Sequence, residues 1–257
     1  MPGERTADRR FRGPPPAALL TDVWFTLVYY PTADRERIES ARRRTWLRAL
    51  TRAGISRVRA REVVWRVEQE VRAFERIGRT PSLATRIRTL AKAEGVSLPS
   101  GRMVAAFDRL VEDDPPRVAP GARTALRALR SQGFRLGVVS NVTLESGGGA
   151  RRLLDLLRLR PLFDTVVLST DRGYAKPDPR LFLRALRRLG VEPSRAWYVG
   201  DLPTDVEGAT VAGMHPIRFV GLERYAPTVP TRWPTPAPVL RRWSDLPEWL
   251  RGQRGAP

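Results

Sequence analysis

From about residue 118 onward, short apolar runs alternate with amphipathic helical stretches, and this alternation constrains the fold more than any other feature of the chain. GARTALRALRSQG has helical spacing, FRLGVVSN reads as a strand and ARRLLDLLRL as a helix. DTVVLST, AWYVGD and HPIRFVG read as further strands, separated by the helical DPRLFLRALRRLG and TDVEGATVAGM. Short strands buried on both faces and joined by helices can pair only in parallel, because each crossover helix covers a face of the sheet. An earlier apolar run, AALL followed by TDVW, supplies one more strand, ending near Asp22.

Between that strand and the alternating region the pattern changes. From about Asp34 to Asp114 the periodicity is helical throughout, with Ile38, Trp46 and Leu50 on one face and Val64, Val67, Val71 and Phe74 on another. Two more helices are predicted near Leu83–Ala93 and Arg102–Val111, and DDPP stops the run because proline cannot continue a helix. The expected fold class is therefore α/β. It has a Rossmann-like, doubly wound parallel sheet as core (residues 17–30 and 118–257) and an inserted α-helical cap at 31–117. Residues 1–16 read as a disordered basic tail. PVLRRWSDLPEWLR, after a proline-rich connection at 224–238, adds a last strand and helix.

Composition narrows the setting. A length of 257 residues suits one sizeable domain with an insert, and 42% hydrophobic residues can build its core. The absence of cysteine excludes disulfide and thiolate chemistry. No apolar run is long enough to span a bilayer and the N-terminus lacks a signal-like apolar stretch, so a cytoplasmic enzyme with no membrane partner is expected. The net charge of +19 comes almost wholly from arginines spread along every helical segment; the only lysines are Lys92 and Lys176. No basic block is interleaved with aromatics, so a general preference for arginine accounts for the charge better than a nucleic-acid partner does, though charge alone leaves that partner open. Oligomeric state is not readable.

In a doubly wound sheet, ligands bind at the carboxyl ends of the strands. Asp22 ends the first strand, Ser140 and Asn141 the second and Asp201 the fourth, while Lys176 follows the third. Four such positions on one sheet edge form a constellation. ALLTDVWFTL with Asp22 and Thr26, GVVSN with Ser140, GYAKPDPRLF with Lys176, and AWYVGDLPTDVEGATVAGM with Asp201 and Asp205 occur in this order. The ordered set, over about residues 17–222, resembles the haloacid dehalogenase-like hydrolases, and the helical block resembles their cap. The resemblance implies that Asp22 attacks the substrate and forms an aspartyl intermediate. Ser140 would bind a phosphoryl oxygen, Lys176 would balance charge, and Thr26, Asn141 and Trp24 would lie against the substrate. Mg²⁺ would be held by Asp22, the backbone carbonyl of Trp24 and Asp201, with Asp205 at or just behind it. The implied substrate is a small phosphorylated metabolite.

One position departs from the family pattern. Its phosphatases carry a second aspartate two residues after the nucleophile, as general acid and base; here that residue is Trp24, which can do neither. Three readings follow. The first is a phosphatase whose acid comes from elsewhere, such as Asp34, Glu36 or Glu39, or whose leaving group needs none. The second is a 2-haloacid dehalogenase-like carbon–halogen hydrolase, against which GDLPTD argues. The third is a catalytically weak binding or scaffold protein with a basic surface. His215, the only histidine, reads as a surface or packing residue, and GGG at 147–149 as a flexible loop beside the cap opening.

Overall fold

The computed structural model describes residues 18–76, 80–171, 173–226 and 232–254, so the tail expected at 1–16 lies outside the described residues. The chain opens with β1 (Ala18–Thr21) and the short β2 (Val28–Tyr29). Helices α1 (Thr32–Arg52), α2 (Arg57–Arg76), α3 (Leu83–Ala93) and α4 (Ser100–Asp113) follow. Next come β3 (Arg117–Val118), α5 (Ala122–Ser131), β4 (Arg135–Ser140), α6 (Gly147–Leu156) and β5 (Thr165–Leu168). The remainder is α7 (Pro179–Leu189), β6 (Ala196–Gly200), α8 (Pro203–Val211), β7 (His215–Phe219), β8 (Val239–Leu240) and α9 (Leu246–Arg254).

Six strands form one sheet in the order β5-β4-β1-β6-β7-β8, every pair parallel. Alternate residues of each strand serve opposite faces, as a two-residue period requires. Leu19, Trp197 and Val199 face one cluster, built with Leu126 and Leu129 of α5, Leu154 of α6 and Leu250 of α9. Ala18, Leu20, Ala196 and Tyr198 face the other, built with Phe182 and Leu186 of α7 and Ala209 of α8. Local sequence explains the clean ends of α7: Asp178 accepts from Arg180 N, Pro179 fills a first-turn position that needs no N–H, and Gly190 closes the helix at φ 64°. The order reverses at β1, which lies between β4 and β6, so the crevice of the sheet opens at the end of β1.

The four helices α1–α4 share a separate cluster that includes Trp46, Leu50, Val63, Ile87, Met103 and Phe107. Ile38, Trp46 and Leu50 of α1 and Val64 and Val67 of α2 are buried as their spacing predicts; the side chains of Val71 and Phe74 lie outside the described residues. Antiparallel pairing of Val28 with Val118 and Tyr29 with Arg117 brings together the two points where the chain leaves and rejoins the sheet region.

The glycine run is not a loop. Gly147, Gly148 and Gly149 form the first turn of α6, and the Ser146 side chain accepts from Gly149 N. The reason is a close approach: a Cβ on Gly149 would sit 2.4 Å from Asp108 Oδ1 of α4. Asp108 in turn accepts from Ser146 N at 2.8 Å and from Ser146 Oγ at 2.6 Å. Among the described residues no helix is long and apolar enough to cross a membrane.

Candidate active site

Asp22 follows the last residue of β1, and its backbone N–H donates to Val199 O of β6 at 2.9 Å, which fixes it at the crevice. The turn behind it is tight: Leu27 N and Val28 N both donate to Val23 O, and Phe25 takes a φ of 53°, unusual for a bulky residue. This turn returns the chain toward β2 and swings Trp24 against the opening.

Lys176 is buried, with Nζ 2.7 Å from Asp22 Oδ1 and 2.6 Å from Asp205 Oδ1. The Tyr198 hydroxyl accepts from the same ammonium at 3.2 Å and donates to Val139 O at 2.7 Å. Burial works against the Lys176 charge, but Asp205 and then Asp22 more than offset it and hold the ammonium above its ordinary range. Asp205 spends its other oxygen on Leu202 N at 2.9 Å, at the start of α8. Burial, followed by the negative charges of Asp205 and Asp22, pushes the Asp201 carboxyl well above the usual carboxylate range.

Asp22, Asp201 and Asp205 each offer an oxygen within 4.8 Å of the others. Lys176 pairs with Asp22 and Asp205, Asp201 stands beside them with Thr26 as its hydrogen-bond donor, and all the donors to an ion would be oxygens. Such a set suits a hard divalent cation rather than a thiolate-seeking metal.

Above these groups opens a cavity of about 250 Å³. Asp22, Asn141, Lys176 and Asp201 line it from the sheet side, and Arg35, Glu39 and Arg42 from α1; Trp24, Tyr30 and Leu144 supply apolar wall.

Two residues expected to touch substrate have other work. Thr26 is fully buried and donates to Asp201 Oδ1 at 2.8 Å, so it orients the carboxylate instead of lining the cavity. Asn141 lines the cavity but its side chain clasps the lysine backbone, accepting from Lys176 N at 2.8 Å and donating to Lys176 O at 3.3 Å. Ser140 is 2% exposed and its hydroxyl makes only a 3.4 Å contact with Asn141 O. Of the carboxylates considered as substitutes for the missing acid, only Glu39 reaches the cavity wall. His215 begins β7, with its ring against Trp197 at the amino end of the strands, away from the site.

Two residues at the cavity carry little signal in the sequence. Glu145, in the loop after β4, is 3% exposed and accepts from Trp24 Nε1 at 3.0 Å. Burial pushes its carboxyl up, only partly offset by Arg42 and the Trp24 bond. Arg42 hides in an RRR run; its one clue is helical phase, since it lies four residues after buried Ile38 and seven after Arg35.

A doubly wound parallel sheet with ionised groups at the carboxyl ends of its central strands is the architecture of an α/β enzyme. The family model of haloacid dehalogenase-like hydrolases matches residues 19–213, and the chain belongs to that family of hydrolases. It is 33% identical to the glyceraldehyde 3-phosphate phosphatase of Methanopyrus kandleri over 205 residues, which cover 79% of this chain and 83% of that protein. Its fold is similar to that of a HAD phosphatase from Thermococcus onnurineus, with a TM-score of 0.63 at 25% identity over 93% of this chain and 99% of the other. A 2-haloacid dehalogenase from Pseudomonas syringae pv. Tomato is matched at the same TM-score of 0.63 and 25% identity, over 91% of this chain and 98% of that one.

Proposed function

We propose that the chain is a Mg²⁺-dependent phosphatase of a small phosphorylated metabolite, working through an aspartyl-phosphate on Asp22, with helices α1–α4 as its cap (residues 31–117) over a core of 17–30 and 118–257. The observation that carries this reading is the buried group at the sheet crevice, where Lys176 touches both Asp22 and Asp205 while Asp201 stands beside them. A dehalogenase has no use for a third carboxylate crowded against that group, whereas a cation-assisted phosphoryl transfer does. The similarity to a glyceraldehyde 3-phosphate phosphatase points the same way.

In this mechanism an Asp22 oxygen attacks phosphorus as the bond to the leaving oxygen breaks. Water then attacks the phosphorus, the bond to Asp22 breaks, and phosphate leaves with the carboxylate restored. Lys176 keeps Asp22 ionised and oriented, and Asn141 holds the lysine backbone in place. Ser140, at the end of β4, is assigned to a phosphoryl oxygen. Mg²⁺, held by Asp22, the Trp24 carbonyl and Asp201, would neutralise the repulsion between carboxylate and phosphoryl group. With Trp24 at the acid position, leaving groups that need no proton should react best.

The test is hydrolysis of p-nitrophenyl phosphate with Mg²⁺ and with chelator, beside an Asp22→Asn control. Turnover that requires both the ion and Asp22 supports the reading. A parent chain no faster than Asp22→Asn, or one that instead releases halide from a 2-haloacid without metal, would sink it.

A further inference from the structure

Arg42 is a cation in the cavity wall whose nearest anion pairs with it only loosely. Its side chain is only 13% exposed, and the nearest carboxylate oxygen, Glu145 Oε2, lies 3.9 Å from Nη2, beyond hydrogen-bond reach. The guanidinium Nε is buried with no hydrogen-bond partner. Glu145 is also engaged elsewhere, through Oε1 to the Trp24 indole. Seven residues earlier on α1, a separation that returns to the same helix face within about 20°, Arg35 lines the same cavity. Arg35 donates through Nη1 to Tyr225 O at 2.7 Å, and its Nε lies 3.6 Å from Glu39 Oε1 and likewise lacks a hydrogen bond. Thus Arg35 has a hydrogen-bonded partner, whereas among the described residues Arg42 has only the 3.9 Å ion pair with Glu145.

Both arginines, carried on α1, line the same cavity as Asp22 and Lys176. The lysine is fully used by Asp22 and Asp205, so it has no charge to spare for a second anion. A ligand with an uncharged far end would leave Arg42 only its 3.9 Å ion pair with Glu145, with a buried Nε that has no hydrogen-bond partner. A compact oxyanion would accept from its planar fork in the geometry that arginine suits best.

Resting on the phosphatase reading of the same site, we infer that the substrate carries a second oxyanion, carboxylate or phosphate, at the end remote from the scissile phosphoryl group, and that Arg42, assisted by Arg35, receives it. Arg42 is then the residue that selects doubly anionic metabolites over phosphate esters of neutral compounds.

The experiment is calorimetric binding with Mg²⁺ to the full chain carrying Asp22→Asn, so that nothing turns over. The probes are 2-phosphoglycolate, propane-1,3-diol bisphosphate and ethyl phosphate, the last having a methyl in place of the carboxylate. At least one doubly anionic ligand is expected to bind tenfold or more tightly than ethyl phosphate. Which one wins separates carboxylate from phosphate. Adding Arg42→Met should abolish the preference, and Arg42→Lys, which keeps the charge without the fork, should retain part of it. Equal affinities in the parent, a preference that survives Arg42→Met, or no binding of any probe would overturn the inference. Thermal melts of both variants identify a folding defect, in which case Arg42→Lys alone decides, by a reduced or an unchanged preference. Failure of the phosphatase reading shows up separately, as absent turnover of p-nitrophenyl phosphate with the binding preference intact.

Discussion

At the scale of single residues, Trp24 and Glu145 form a hydrogen-bonded pair on the wall of the cavity. On the phosphatase reading the indole stands at the general-acid position, and its N–H is pinned to the buried Glu145 carboxyl. Restoring a carboxyl with Trp24→Asp should raise kcat on simple alkyl phosphates by about 10²–10⁴-fold, the usual worth of general acid–base help. The gain on p-nitrophenyl phosphate should be far smaller because its leaving group needs no proton; equal gains on both would argue that the acid position is not limiting. Glu145 also makes stability depend on pH. Its folded-state pKa is raised, so the folded chain binds more protons than the unfolded one, and stability falls as pH rises from about 4.3, the ordinary glutamate value, through the raised one. A glutamine has no charge to desolvate and can still accept from the indole. Glu145→Gln is therefore expected to melt higher than the parent at neutral pH, with the difference closing below about pH 4.3. A variant that melts lower at pH 7.5 would show that the Arg42 contact outweighs desolvation.

At the scale of elements, the start of α6 shows how one turn meets two demands. Gly148 is exposed, and a Cβ there would meet only the far end of Arg152 at 3.3 Å and Ser146 Oγ at 3.5 Å. Gly149 is packed on Asp108, which α4 sends into the β4–α6 loop. The two alanine substitutions should therefore have opposite signs. Gly148→Ala should stabilise by about 0.5–1 kcal/mol through helix propensity. Gly149→Ala should destabilise by about 1–3 kcal/mol, the usual cost of overpacking. Urea unfolding of the pair measures both, and a stabilising Gly149→Ala would show that Asp108 moves aside easily. Arg86 of α3 donates to Thr143 O in the same loop, so two helices of the insert hold the segment that presents Leu144 and Glu145 to the cavity.

For the whole molecule, an ion held by the acidic group at the sheet crevice would link its binding to folding. Asp22, Asp201 and Asp205 come from β1 and from the β6–α8 region, and they converge only in the folded chain. An ion that binds the folded state alone raises Tm by mass action. Millimolar Mg²⁺ should therefore raise the melting temperature and chelator should reverse the rise. Asp201→Asn should melt higher than the parent without the ion, because burial and the neighbouring carboxylates disfavour the ionised form of Asp201, yet lose the ion-dependent increase. An Asp201→Asn variant that still responds fully to Mg²⁺ would place the ion elsewhere.

Much of this was set by the sequence. The strands Arg135–Ser140 and Ala196–Gly200, the helices between them and the placing of Asp22, Lys176 and Asp201 at or after strand ends follow from periodicities of two and 3.6 residues, which are local properties of the chain. The triple glycine misleads at that level because its constraint is Asp108, on another helix. Only the tertiary structure turned Thr26 toward Asp201, 175 residues away, and Trp24 toward Glu145, 121 residues away. It also closed Asn141 on the Lys176 backbone and left Arg42 facing the cavity. Hydrogen bonds are short and directional, so a polar side chain's role is fixed by what the fold brings within about 3 Å of it, and neither composition nor spacing records that neighbour.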